Sequence, residues 1–258
     1  MPIDLREYER GAPFNGDGAA EIASLQRDLA ALNVAQVVHG KRLMVILEGW
    51  SGAGRRDAIK ALVGGLDPLH TEVAQFRRED FGAEQRHWFA PFWEVLPSSG
   101  QTQIIHGSWY SRAGDLKFAG RADDKLWPRM LDEINEFESQ QRDHGTILVK
   151  LFFHVTEAVQ RQRLEARLAD PWQRHLVGPD ELRRLEQRDM FVPVISEVFD
   201  SSHMRWAPWK VIDAGNEQAA QIATLAAVAD ALRKAVPAEP PSDVPMAEIV
   251  DFQARRRG

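Results

Sequence analysis

The sequence predicts an α/β protein with a doubly wound, five-stranded parallel sheet and helices on both faces. Five short apolar segments alternate with longer segments of helical periodicity. Strands that alternate with helices in this way favour a parallel sheet covered on both sides. No internal repeat or Gly/Ser-rich linker interrupts the 258 residues, a length that can bury one sizeable core. We therefore expect a single domain.

The strands are predicted from apolar, β-branched segments. The first, RLMVILE, is continuously apolar, as is typical of a parallel strand buried on both faces. The predicted strands are residues 42–48, 71–76, 101–106, 146–155 and 209–214.

The helices are predicted from the segments between the strands. In the first one, apolar residues recur at positions 22, 25, 29, 32 and 37, which is near-helical spacing. Pro171 and Pro193 should break or kink the later helices. The predicted helices are residues 19–38, 55–66, 83–96, 122–142, 156–169, 180–200 and 216–235.

These elements give a simple domain plan. Residues 1–18 are expected to form an N-terminal arm, and residues 19–236 the domain itself. The proline-rich residues 237–258 end in three arginines and are predicted to be a flexible tail, although the AEIVDF segment within them would suit docking on a partner.

Composition restricts the classes of function. The chain has no cysteine, which excludes disulfides and thiolate metal sites. No apolar run approaches the ~18 residues of a membrane span, and the N-terminal residues lack the apolar core of a signal peptide. We therefore expect a cytoplasmic protein without a membrane partner. The net charge of −6 does not favour non-specific binding of nucleic acid.

One segment departs from the acidic average. Residues 161–188 hold seven arginines against five acids. Composition alone favours a salt-bridged helical surface here. The alternative is a local patch for a polyanionic ligand.

A glycine-rich turn follows the first strand and leads into a helix. Gly49 and Gly54 have the G-x-x-x-x-G spacing of a P-loop, or Walker A motif, with Gly52 between them. Arg55 stands where such a loop carries lysine, and Arg56 where it carries Ser or Thr. Main-chain amides and guanidinium groups would together bind phosphate. The alternative is that both arginines only face solvent at the start of the helix.

A second candidate segment, IIHGSWYSRAGDLKFAG, follows the third strand. The turn after a central strand faces the ligand crevice of a doubly wound sheet. Ser108, Tyr110, Arg112 and Asp115 therefore place hydroxyls, a cation and a carboxylate at this crevice. The adjacent Trp109 and Tyr110 are more typical of packing than of chemistry.

Together these segments resemble the polyphosphate kinase 2 family, whose enzymes move a phosphoryl group between inorganic polyphosphate and a nucleotide. EGWSGAGRRD matches the family's loop, roughly E-G-x-D-A-A-G-K-G-G, and HGSWYSRAG matches its second motif, roughly D-R-S-W-Y-N-R-A-G. LPSSG, RLEARLADPWQRH and APWKVIDAGN extend the likeness over residues 20–235. The resemblance implies a P-loop kinase-like fold, a helical lid at about 156–190, Mg²⁺ as cofactor and a homo-oligomer.

The resemblance also implies the site residues. Catalytic roles fall on Arg55, Arg112, Asp115, Arg163 and Arg167. The phosphate-binding residues would be Gly49, Gly52, Gly54, Arg55, Arg56 and Ser108.

The lid arginines Arg163 and Arg167 are one helical turn apart, so both would project from one face and could close over a phosphate chain. The alternative, which the sequence leaves open, is that they pair with Glu165, Asp170 or other nearby acids.

The chain departs from the family where Mg²⁺ is expected to bind. Ser51 and His106 stand at the aspartates of the two motifs. Asp57 or Asp115 would have to supply a metal-binding carboxylate instead. His106 could act as a base or a ligand, but a hydrogen-bonding substitute without a catalytic role is the commoner case.

Two functional hypotheses follow. The first is a phosphotransferase, of full or reduced activity, acting between polyphosphate and a nucleoside mono- or diphosphate. The second is a catalytically degenerate homologue that binds nucleotide or polyphosphate and has a regulatory or assembly role. The sequence does not identify the nucleotide, the direction of transfer or the oligomeric state.

Overall fold

A computed structural model describes residues 3–76 and 86–241, and within these the predicted sheet is confirmed. All four strand pairings are parallel, and the strand order is β2-β3-β1-β4-β5. The strands are β1 (Arg42–Gly49), β2 (Thr71–Gln75), β3 (Thr102–His106), β4 (Thr146–His154) and β5 (Trp209–Asp213).

Nine α-helices are found in the described residues. They are α1 (Gly18–Val38), α2 (Arg55–Val63), α3 (Ala90–Trp93), α4 (Trp109–Phe118), α5 (Leu126–Asp143), α6 (Glu157–Ala169), α7 (Pro179–Glu186), α8 (Arg188–Ser202) and α9 (Glu217–Ala235). Short 3₁₀ helices span Leu5–Tyr8 and Arg174–Leu176.

The sheet lies between two layers of helices. Helices α1, α2 and α9 pack with one another, and α4, α5 and α8 form a second group; both groups contact β4 through α9 and α5. Strand β1 lies at the centre of the sheet, and Leu43, Met44, Val45, Ile46 and Leu47 are fully buried. This continuous burial explains why β1 has no alternation of polar and apolar residues.

Side chains at the helix ends explain several boundaries. Asp17 caps α1 by accepting from the amides of Ala19 and Ala20. Ser108 caps α4, and Asn216 caps α9. These short polar side chains satisfy amides that have no partner within the helix.

Three helix predictions need correction. The predicted helix 83–96 is reduced to α3, and residues 83–85 lie outside the described ranges. The predicted helix 180–200 is interrupted at Gln187, where the backbone leaves the helical region. Pro193 lies within α8 without ending it, because it is on the exposed side, where water can bond to the carbonyl it leaves free. Pro171 does follow the end of α6, as predicted.

The third correction concerns α4 itself. The segment after β3 was expected to be a turn, but it forms a ten-residue helix from Trp109 to Phe118. Its cap, Ser108, is the signal that sequence reasoning did not use.

The N-terminal arm contacts the domain. The Gly11 amide donates to the Asp213 carboxylate at 2.8 Å, and Glu9 lies 3.0 Å from the His154 imidazole. The predicted tail is described only as far as residue 241, so its AEIVDF segment lies outside the described residues. Among the helices of the described chain, none is long and apolar enough to span a bilayer.

Candidate phosphate-binding site

A pocket of about 230 Å³ opens at the carboxyl ends of β1 and β3. Its floor is the loop between β1 and α2 and the start of α4, and its roof is α7 with the preceding turn. It is lined by Ser51, Gly52, Ala53, Gly54, Arg55, Arg56, Gln75, Phe76, His106, Gly107, Ser108, Ser111, Arg112, Asp115, Arg167, His175, Leu176, Gly178, Pro179, Asp180, Glu181 and Arg184. Doubly wound folds bind ligands at the carboxyl ends of their parallel strands, which is where this pocket lies.

The backbone of the glycine loop depends on glycine at two positions. Gly52 and Gly54 have φ values of 77° and 82°, which glycine adopts without strain. Gly54 precedes α2, and no side chain caps that helix. The first amides of α2 and the positive end of the helix dipole therefore face the pocket, an arrangement suited to an anion.

Gly49 has a different role from the other two glycines. It ends β1, does not line the pocket, and has a φ of 132°. A Cβ at this position would lie 2.2 Å from the carbonyl oxygen of Phe153 in β4. Close packing of the two strands therefore requires glycine here.

Four predicted arginines line the pocket, and three of them come from α2 and α6. Arg55 and Arg56 come from the first turn of α2, and Arg167 comes from α6. Burial lowers the pKa of Arg55 to about 10, against the opposing effect of the Glu48 carboxylate, and the nearby Arg184 and Arg167 lower it further. Arg55 therefore remains a cation at neutral pH. Arg56 is exposed.

The second lid arginine, Arg163, points elsewhere. Its guanidinium donates to the carbonyls of Gly52, Ala214 and Gly215 at 3.3, 2.9 and 3.0 Å. It also lies 3.4 Å from Glu217, which is not one of the acids considered in the sequence. Arg163 does not line the pocket. It ties α6 to the glycine loop and to the end of β5.

The buried carboxylate of Glu48 was missed as a site residue. One of its oxygens accepts from the Ser108 amide and hydroxyl at 2.6 and 2.7 Å, and the other accepts from the Ser111 hydroxyl at 2.5 Å. Glu48 therefore fixes the start of α4 against the end of β1. An acid at the end of an otherwise apolar strand segment was the signal that could have revealed Glu48 as a site residue.

Asp115 is held by an arginine that sequence reasoning also missed. Arg184 of α7 donates to both Asp115 oxygens at 2.9 and 3.0 Å, and Arg183 approaches to 3.6 Å. Burial would lower the pKa of Arg184, but the carboxylates of Asp115 and Glu48 outweigh it and raise that pKa. This ion pair joins the lid helix to α4 across the pocket.

The remaining residues of the second motif divide between pocket and core. Arg112 and His106 line the pocket beside Ser108. Trp109 and Tyr110 pack inside and donate to the buried Glu138 carboxylate at 3.1 and 2.6 Å. The expectation that the aromatic pair packs is thus confirmed.

The described residues do not fit the Mg²⁺ site that the resemblance implies. The buried Ser51 hydroxyl accepts from the Gln160 amide at 2.8 Å and donates to the Glu181 carbonyl at 3.2 Å. Asp57 pairs with Lys60 at 3.1 Å and does not line the pocket. No group of three His, Cys, Asp or Glu side chains placed to hold a metal occurs within residues 3–76 and 86–241.

Comparison with known proteins identifies the family. Residues 15–240 match the family model described as Polyphosphate kinase 2 (PPK2). The chain is 26% identical over 233 residues to the Polyphosphate:AMP phosphotransferase of Pseudomonas aeruginosa, covering 90% of this chain and 46% of that protein. It is 27% identical over 228 residues to the ADP-polyphosphate phosphotransferase 2 of Rhizobium meliloti, covering 88% and 72%.

The fold agrees with the family match. The chain superposes on the crystal structure of Polyphosphate Kinase 2 from Arthrobacter aurescens TC1 with a TM-score of 0.83 at 25% identity, covering 98% of this chain and 89% of that one. It spans less than half of two curated relatives, the Polyphosphate:AMP phosphotransferases of Pseudomonas aeruginosa and Pseudomonas syringae, at 46% and 39% of their lengths. The glycine loop, the helix after β3 and the family match over most of the chain lead to one conclusion: this chain belongs to the polyphosphate kinase 2 family.

Proposed function

We propose that the chain transfers a phosphoryl group between inorganic polyphosphate and a nucleoside mono- or diphosphate. The observation that carries the proposal is the arginine-lined pocket between the glycine loop, α4 and the lid helix α7. Relatives that act on AMP, ADP, GDP and NDP by their names support this class of acceptor. A P-loop role for residues 49–55 is part of the same proposal.

The reaction exchanges one P–O bond for another. An oxygen of the nucleotide's terminal phosphate forms a bond to the last phosphorus of the polyphosphate, and the bridging P–O bond of that phosphorus breaks. The polyphosphate leaves one unit shorter and keeps the electron pair of the broken bond; the reverse direction follows the same path. Charge is spread over the oxygens of the transferred group, so positioning and neutralisation provide most of the catalysis.

The chain's own residues supply that neutralisation from two sides. Arg55 lies at the start of α2, beside the backbone amides of the glycine loop, and Arg167 reaches the pocket from the lid. Guanidinium groups bind phosphate oxygens through two parallel hydrogen bonds. No step is assigned to Mg²⁺, because Ser51 and His106 stand at the expected carboxylate positions and Asp115 is bonded to Arg184 through both oxygens.

The setting of the reaction belongs to the proposal as well. We place the protein in the cytoplasm as a homo-oligomer, in keeping with its family. Nucleic acid is not proposed as a partner, because the net charge is −6.

The direct test is phosphoryl transfer by the purified protein from polyphosphate to AMP, ADP and GDP, with Mg²⁺ present. We expect nucleoside di- or triphosphate to form, and Arg55→Ala and Arg167→Ala each to lower kcat by about 10²–10³. Arg161→Ala is the matched control, because Arg161 is exposed on the same helix and pairs with Glu157. An equal loss in the control would contradict the assignment.

The same assay separates an active phosphotransferase from a catalytically degenerate homologue that only binds its ligand. If no nucleotide is phosphorylated while tripolyphosphate still stabilises the protein, the chain is a binding module. The triple variant Ser51→Asp, Arg55→Lys, His106→Asp restores the family motif residues, and turnover that appears only in this variant would support the same conclusion.

A further inference from the structure

The acidic side chains that face the pocket are already bonded within the protein. The Asp115 carboxylate is held by Arg184 through both oxygens, and Asp180 pairs with Arg183 at 3.1 Å. The Glu181 carboxylate accepts from a backbone amide at 2.9 Å. Mg²⁺ demands near-octahedral geometry and binds through one or two carboxylates together with substrate phosphates. To bind Asp115, Mg²⁺ would have to displace the Arg184 guanidinium from the carboxylate, and the two cations would then lie side by side.

Three cations of the pocket are in the opposite situation. Within the described residues, the guanidinium groups of Arg55, Arg56 and Arg167 make neither a hydrogen bond nor an ion pair, and the Glu48 and Glu181 carboxylates act on Arg55 without a direct bond. All three line the pocket, and Arg55 keeps its charge in spite of its burial. Arg55 and Arg167 are partly buried and lack a directly bonded counter-ion, which is costly, and an anionic ligand removes that cost; Arg56 is exposed and adds positive charge at the pocket.

We propose that this pocket binds oligophosphate as the metal-free anion, with the guanidinium groups of Arg55, Arg56 and Arg167 in the place of Mg²⁺. The inference rests on the proposed function and deepens it, because it specifies the charge state of the ligand that the pocket takes. It also explains the paired substitutions in the loop: the carboxylate position is held by Ser51, and arginines occupy two adjacent positions after Gly54.

Competition between magnesium and arginine follows from this arrangement. Mg²⁺ in solution binds the same phosphate oxygens as the guanidinium groups and lowers the net charge of the ligand. A pocket built around carboxylate-held metal would gain affinity from Mg²⁺. A pocket whose free charges are arginines loses affinity when the ligand is already neutralised.

The experiment is calorimetric titration of the full chain with tripolyphosphate at constant ionic strength, once in EDTA and once in saturating Mg²⁺. We expect binding in EDTA and a larger dissociation constant in Mg²⁺. Binding that requires Mg²⁺ overturns the inference, and the proposed function stands if such a protein still phosphorylates nucleotides. Absence of binding in both buffers overturns the inference and the proposed pocket together.

Two variants make the titration specific. Arg167→Ala should weaken binding in EDTA by about tenfold or more, the value of a charge-assisted hydrogen bond, whereas the exposed Arg161→Ala should not change it. Asp115→Asn removes a negative charge from the pocket and releases Arg184, so binding in EDTA should be as tight or tighter. A loss of affinity in Asp115→Asn that appears only with Mg²⁺ would identify Asp115 as a metal ligand and refute the inference.

Discussion

Replacing Lys150 by Met should destabilise the protein by about 3–5 kcal/mol, because it leaves a buried carboxylate without its cation. Lys150 lies in β4 and its ammonium is 2.9 Å from the Glu138 carboxylate of α5. Neither side chain has any exposed surface. Burial lowers the pKa of Lys150, and the Glu138 carboxylate partly offsets that effect.

The magnitude follows from what remains bonded in the variant. Trp109 and Tyr110 still donate to Glu138, which keeps the cost from exceeding this range. The Ser202 carbonyl loses the ammonium that donates to it at 2.7 Å, which accounts for about 1–3 kcal/mol of this cost. Methionine nearly fills the space of the lysine stem, so a cavity contributes little. The loss is a large fraction of a total stability of about 5–15 kcal/mol.

The assay is urea denaturation followed by tryptophan fluorescence. The matched controls are Glu138→Gln and the double variant, in which the introduced amide oxygen would still accept from the Trp109 and Tyr110 side chains and no charge is buried. We expect the double variant to be more stable than the sum of the single effects predicts, by about 1–3 kcal/mol. A cost below about 1 kcal/mol for Lys150→Met, or strict additivity, would refute the assignment of a buried ion pair.

Three further predictions concern the loop and the lid. Gly49→Ala should destabilise the protein far more than Gly54→Ala, because a methyl group at residue 49 would lie 2.2 Å from the Phe153 carbonyl oxygen whereas the space around Gly54 is open. Thermal denaturation compares the two variants. A lower melting temperature for Gly54→Ala than for Gly49→Ala would contradict this packing. Burial lowers the pKa of His154, so stability should be fully present above about pH 6.5 and fall as the pH is lowered. Urea denaturation at pH 7.5 and 5.5 should show a smaller difference for His154→Gln, and an unchanged difference would exclude this residue as the cause. Arg163→Lys cannot reproduce a fork to three carbonyls and should lower the melting temperature; an unchanged value would show that these bonds do not stabilise the lid.

The sheet could be predicted from the sequence because each strand carries its own signal. Strand β1 is continuously apolar and is buried at every position from Leu43 to Gly49. The boundaries of the later helices were less predictable, since Pro193 suggested a break or kink in the predicted helix 180–200 and that helix is interrupted at Gln187 instead. Whether a proline ends a helix depends on whether its side of the helix meets water, which the local sequence does not contain.

The pocket could be predicted only in part. The glycine loop and the segment after β3 are local patterns, so Arg55 and Ser108 were found. The bonds of Glu48 to Ser108 and Ser111 join residues about sixty positions apart, and they depend on the parallel register that pairs Leu47 with His106. Such contacts depend on tertiary structure and have no characteristic spacing of residues in the sequence that could predict them.

The two lid arginines show the same limit. Arg163 and Arg167 are one turn apart on α6, yet one bonds to the carbonyls after β5 and the other lines the pocket. Helical periodicity predicts a shared face but does not say where the neighbouring loop crosses it. The sequence reasoning therefore treated both alike, either over a phosphate chain or paired with nearby acids, and did not separate them.

Ser51, which stands where the family has aspartate, is hydrogen-bonded to the lid, so its role depends on the lid residues that it contacts. The Ser51 hydroxyl is joined to Gln160 of α6 and to the Glu181 carbonyl of α7, and Gln160 in turn accepts from the buried Arg188. A carboxylate at residue 51 could not donate a hydrogen bond to the Glu181 carbonyl, as the Ser51 hydroxyl does. It would also be a buried negative charge that needs a counter-ion. Since Arg188 already bonds to Gln160 and to the Val155 carbonyl, a metal is the natural counter-ion for such a carboxylate. The serine and the lid contact above it are therefore one arrangement, in which the glycine loop is held to the lid by hydrogen bonds and positive charge in the pocket comes from arginine.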